Sequence, residues 1–269
     1  MLGKMLKYDF KDYSKSMLPM CLMLFIISIL TRIFSVISEN IENLKTAFSI
    51  LFGISTFVFC IVIIVSLVYC FFISIKNYYK KVLKDEGYLT HTLPIKKSSI
   101  VLSQIITSTI WIIIIALVVI LTLGIAYYEK ELIDTIWNAL NTEIEGQVII
   151  SPMVTLIIIC LMMLCSYIST ILAIYCSMTI GHGFSNNKIG YSIIAGVIFY
   201  VAYQILGIIL ILTIVGINYN DLSVINSNPE IGTNVVFQII IGAFIENFII
   251  GAVAYILTNY NLKKRLNLE

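Results

Sequence analysis

Charge is scarce in this sequence. Asp, Glu, Lys and Arg make up 12% of the residues while hydrophobic types reach 59%, a balance outside the range of water-soluble globular domains. No polar segment is long enough to bury a core of its own, which excludes a separate soluble domain. Histidine is nearly absent. His91 and His182 stand in different polar segments with no cysteine beside them, so no metal site is expected. H-E-x-x-H and G-x-S-x-G are missing, and with them the usual zinc-protease and serine-hydrolase constellations. Gly183 and Lys188 imitate a phosphate loop, but the Gly before the Lys, the Ser/Thr after it and the leading strand are lacking; the chain carries no nucleotide site of its own. Asp85 and Glu86 are chain neighbours, which on a helix sets them about 100° apart, wrong for two carboxylates sharing one substrate. An enzyme is therefore not expected, and neither is a nucleic-acid partner. No small-x-small site precedes Glu39, which argues against a cleavable signal peptide.

What the sequence has in abundance is apolar residues in long blocks. A helix crossing a hydrocarbon layer of about 30 Å needs about 20 of them. Six segments qualify: 18–38, 47–75, 100–127, 152–180, 191–217 and 233–258. Barrel strands would be far shorter and alternating, so these are helices that close their backbone hydrogen bonds internally. The fold expected is an all-α membrane protein of six spans forming a single transmembrane domain over 1–269. All six cysteines (21, 60, 70, 160, 165 and 176) fall within the spans and none forms C-x-x-C; they read as small packing residues.

The basic residues orient the chain. Fourteen lie in 1–17, 76–99, 181–190 and 259–269, and two, Lys45 and Lys130, in the alternate segments 39–46, 128–151 and 218–232. The positive-inside rule then places both termini in the cytoplasm. Lys outnumbers Arg fifteen to two, read as the coding bias of an AT-rich genome and pointing to a bacterial plasma membrane. Residues 1–17 carry Leu2, Met5, Leu6, Phe10 and Tyr13 near one helical face, interrupted by Asp9; an amphipathic helix on the inner leaflet is expected, against the plainer reading of a basic flank. In 129–151, Leu132, Ile133, Ile136, Trp137 and Leu140 recur at helical spacing, which predicts a short amphipathic helix outside, against a plain loop.

The chain is organised around 76–99, KNYYKKVLKDEGYLTHTLPIKKSS, which holds six lysines. It cannot lie in hydrocarbon, where each charge costs about 2.5–3.5 kcal/mol. Lys76 to Lys84 reads as a helix leaving the second span, Gly87 permits a bend, and Pro94 blocks a helix through Thr92 and Leu93. The expected product is a structured elbow, against the plainer reading of a solvated charged loop.

Two ionisable residues fall inside spans, Arg32 and Glu246, and intramembrane charges usually face partners or water. Pairing of the two, outward snorkelling of Arg32, and protonation of Glu246 or its hydrogen bonding to Asn247 all stand open. In the fifth span Tyr203 and Gln204, with Gly196, Tyr200 and Gly207, suit close helix packing; a pathway-lining role is the alternative.

An inner amphipathic N-terminus, six spans and a basic loop between the second and third resemble the type-2 permeases of ABC transporters. The core D-E-G-Y-L…T-L-P at 85–94 is similar to that of small permeases of Firmicutes and clostridia. The resemblance implies two six-span subunits, the second identical or homologous, flanked by cytoplasmic ATPase subunits that bind ATP and Mg on separate chains, with no cofactor in this one. It implies that Asp85, Glu86, Gly87, Tyr88, Leu89, Thr92, Leu93 and Pro94 lie near the ATPase contact, and that the cargo is a drug or an antimicrobial peptide. The re-entrant helices of better known relatives find no room in 218–232. A proton- or ion-coupled secondary carrier using Glu246, and a non-transporting scaffold or sensor, are the competing classes.

Overall fold

A computed structural model describes residues 2–41, 45–84, 86–87, 96–128, 134–135, 137–138, 152–184, 187–218 and 229–264, with side chains of the last segment from 234 onward. The elements in order are α1 (Leu2–Asn40), α2 (Lys45–Tyr78) with one π-helical turn at Tyr79–Leu83, α3 (Lys97–Ala126), α4 (Pro152–Gly181), α5 (Lys188–Ile217) and α6 (Pro229–Lys264). No strand occurs among the described residues. Six helices are long and apolar enough to cross a membrane, so the chain is an all-helical, multi-pass membrane protein.

Each expected span is present, and most helices run beyond their apolar blocks. The amphipathic N-terminal stretch is helical and continues into the first span without a break, through Pro19. The 39 residues of α1 measure about 58 Å at 1.5 Å per residue, roughly twice the hydrocarbon thickness. Pro19 removes only the backbone bond to the carbonyl four residues earlier. Of the segment 129–151, residues 134–135 and 137–138 are helical; the rest lies outside the described residues, and with it most of the amphipathic helix expected there.

The chain divides into two compact units: residues 1–78 with 99–134, and residues 79–98 with 135–269. In the first, α1 packs along α2. The buried side of α1 is Asp9, Tyr13, Met17, Cys21, Leu24, Ser28, Thr31 and Ser35, spaced three or four residues apart as one helical face requires. Tyr13, Met17 and Cys21 meet Cys70 and Ile73 of α2 and Trp111 and Ile115 of α3 in one cluster. Leu24, Phe59 and Ala126 form another. Phe10 stacks on Trp111, ring centroids 4.9 Å apart. Small hydroxylated side chains such as Ser28, Ser66, Ser103 and Ser108 are fully buried while Ile64, Ile120 and Leu121 are exposed. Lipid explains this inversion. An aliphatic side chain gains little by leaving hydrocarbon, so helix seams are made by close-packing small residues.

In the second unit α4 packs against both α5 and α6, and α5 against α6. The Ser169 hydroxyl donates to Asn247 Oδ1 at 2.7 Å, and Asn218 Nδ2 at the end of α5 donates to Gln238 Oε1 at 2.8 Å. The turn between α4 and α5 brings the two helices close together. A Cβ on Gly181 would stand 2.5 Å from Ser192 N and 2.6 Å from Lys188 O, both backbone atoms of the returning helix. Only glycine lets them come so near.

Candidate functional site

Residues 79–98 of the elbow belong to the second unit. The α-helix of α2 gives way at Tyr79 to a π turn, in which Lys84 N donates to Tyr79 O at 3.0 Å. Gly87 N then donates to Lys84 O at 2.8 Å, closing the turn. Val82, Leu83 and Gly87 are buried, so the described half of the elbow is not a slack solvated strand. Tyr79 meets His182 of the α4–α5 turn edge to face, centroids 5.5 Å apart. His182 is buried, and its Nδ1 donates to the Met178 carbonyl at 2.9 Å. At the far end of the elbow the Lys97 ammonium donates to the Leu262 carbonyl in the last turn of α6, where a cation suits the negative end of the helix dipole.

Of the residues expected at the ATPase contact, Glu86 and Gly87 are described; Asp85, Tyr88, Leu89, Thr92, Leu93 and Pro94 lie outside the described residues. The Glu86 carboxylate reaches the Lys80 ammonium at 2.7 Å, both side chains about half exposed. At such exposure the pair contributes about 0–1 kcal/mol, but it orients Glu86 back across the π turn. The pair left no signal in the sequence, because six residues apart fits neither helical i+3 nor i+4 spacing.

A groove of about 360 Å³ opens between α4 and α5, with α6 contributing Ile250. Tyr203 and Gln204 line it together with Ser166, Ser169, Thr170, Ser177, Gly196, Phe199 and Tyr200. The glycines of α5 that sequence reading took for packing positions do face neighbours. A Cβ on Gly196 would come within 3.7 Å of Ser177 Oγ, and one on Gly207 within 3.6 Å of Glu246 Oε1. Tyr203 and Gln204, between these two contacts, stand on the groove wall instead. Glu246 is half-buried on α6, its Oε1 enclosed and without a hydrogen-bond partner. It is not bonded to Asn247, whose amide nitrogen donates to the Ala243 carbonyl at 2.8 Å and whose oxygen takes the Ser169 hydroxyl. Arg32 is half-buried on α1, in the other unit.

Asp9 stands within the apolar face of α1, as its spacing predicts; it is buried beside Tyr13 on that face and accepts a hydrogen bond from the Ser103 hydroxyl, a partner that local periodicity does not reveal. Comparison of the chain with protein-family models, with curated proteins and with solved structures gave no match.

Proposed function

We propose that this chain is the membrane-spanning permease subunit of an ATP-driven exporter in a bacterial plasma membrane, paired with a second permease subunit and driven by a separate cytoplasmic ATPase, with a drug or an antimicrobial peptide as cargo. The observation that carries the reading is the fixing of the elbow at both ends. Tyr79 is seated on His182 and Lys97 on the end of α6, while the chain between them joins two long spans. A partner that pushes on such an element moves helices rather than a loose loop. The core D-E-G-Y-L…T-L-P and the fourteen inner basic residues agree with it.

The test replaces Gly87-Tyr88-Leu89 by Ser-Ser-Ser. The expected result is normal membrane insertion with loss of ATPase co-purification, or hydrolysis no longer tied to transport. A triple variant that keeps its ATPase and full transport overturns the reading. A second reading, a proton-coupled carrier, draws on the unpartnered Oε1 of Glu246. It requires transport without any ATPase, collapsing when the proton gradient is dissipated and abolished by Glu246→Gln.

A further inference from the structure

The groove of the second unit is rich in acceptors on its α4 wall, while Tyr200, Tyr203 and Gln204 of α5 bring the hydroxyl and amide donors. A serine or threonine hydroxyl has one proton to donate and two lone pairs. Thr170 spends its proton on the Ser166 carbonyl at 2.8 Å, Ser177 on Ala173 at 2.6 Å, and Ser169 on Asn247 Oδ1 at 2.7 Å or the Ser166 carbonyl at 3.0 Å. What these side chains turn to the groove is lone pairs. Glu246 extends the same bias. Gly207 lies three residues beyond Gln204 on α5, and Glu246 four residues before Ile250 on α6, so the carboxylate stands about 4.5–6 Å along the helices from the groove wall. The bare backbone of Gly207 faces it, and no basic side chain among the described residues of its unit pairs with it. Phe199, Tyr200 and Tyr203 supply aromatic faces, which attract cations. A volume of about 360 Å³ suits a small organic molecule.

We propose that this groove binds a small amphipathic organic cation, its apolar body among Phe199, Tyr200, Ile174 and Ile250 and its cationic group directed toward Glu246. As a cargo site the proposal rests on the permease reading above; as a binding site it does not. An anion would be repelled by the Glu246 carboxylate, and a purely apolar guest would leave that carboxylate unanswered.

The probe is ethidium, a cation with amine donors whose fluorescence rises on leaving water. It is titrated against the full chain in phosphatidylcholine nanodiscs, with the anionic dye 8-anilinonaphthalene-1-sulfonate as the comparison. Saturable ethidium binding is expected, weakened about tenfold or more by Glu246→Gln, the scale of one lost charged hydrogen bond, with the anionic dye unaffected. Gly196→Leu, which fills the groove, is expected to abolish ethidium binding, and Tyr200→Ala to weaken it should the leucine variant not fold. Equal ethidium affinity in wild type and Glu246→Gln overturns the proposal. So does the absence of saturable binding, the outcome if a lipid tail or a second copy of the chain fills the groove. No ATPase enters these titrations. A chain that binds ethidium but recruits no ATPase keeps the site and loses the permease reading; the converse loses the site alone.

Discussion

Tyr79 stands edge-on to His182, with ring planes inclined by 70°. Burial holds the imidazole below its ordinary pKa; the nearby Lys188 charge acts the same way, and the bond to the Met178 carbonyl opposes both. Protonation is therefore easier in the unfolded chain. The stability this group contributes is full above the ordinary histidine range, about 6.5, and is lost as pH falls through it and on through the depressed folded value. Melting temperature in detergent is expected to drop from about pH 7 to about pH 5, and His182→Gln to flatten that slope. A variant as acid-sensitive as wild type would assign the effect to another group.

Gly181→Ala places a methyl group 2.5 Å from Ser192 N and 2.6 Å from Lys188 O. Backbone cannot swing aside as a side-chain tip does, so a loss of about 1–3 kcal/mol or more is expected. Removing the Ser192 hydroxyl should not rescue it. Thermal unfolding of Gly181→Ala and of the double variant Gly181→Ala/Ser192→Ala reads this directly, and recovery in the double variant would show that the hydroxyl alone is the obstacle.

Ser103→Ala takes one donor from the buried Asp9 carboxylate, a loss of about 1–3 kcal/mol, while Ser103→Thr keeps the hydroxyl and is expected to stay near wild type. Side-by-side melting curves separate the two. Equal destabilisation by Ala and Thr would mean that shape rather than the hydrogen bond matters at this contact.

Topology is checked with single cysteines, Asp85→Cys and Leu140→Cys, in a cysteine-free background. A membrane-impermeant thiol reagent added outside is expected to label position 140 in intact cells and to reach position 85 only after lysis. Labelling of 140 from the cytoplasmic side alone would reverse the orientation drawn from the basic residues.

The six helices were legible because lipid imposes a length and a composition on each span, and the blocks from 18–38 to 233–258 meet both. Their extensions were less so. Hydropathy marks where a helix meets hydrocarbon, not where its hydrogen bonds stop, and so the junction between the N-terminal stretch and the first span left no signal at Pro19. The partners of Asp9 and Asn247 were not legible for a related reason. Each finds its partner on another helix, Asp9 at Ser103 and Asn247 at Ser169, and local periodicity carries no information on the relative register of two helices. Glu246 was visible as an oddity, yet its place beside Gly207 depends on how α5 and α6 are phased. Tyr203 and Gln204 were named from composition; that they share a wall with the α4 hydroxyls needed the fold.

The π turn at Tyr79–Leu83 holds one residue more than an α-helical turn would need. It therefore hides an insertion: the extra residue is taken up within one wide turn, and the helix on either side keeps the phase of a regular α-helix. Deleting a single residue there, Lys81 for instance, would close the wide turn to regular α and leave the flanking residues facing nearly as they do now, whereas the same deletion in a regular stretch of helix would turn everything beyond it by about 100°. A chain lacking Lys81 is expected to insert normally and to keep the short-range crosslink formed between Tyr79→Cys and His182→Cys; loss of that crosslink would show that the wide turn itself seats Tyr79.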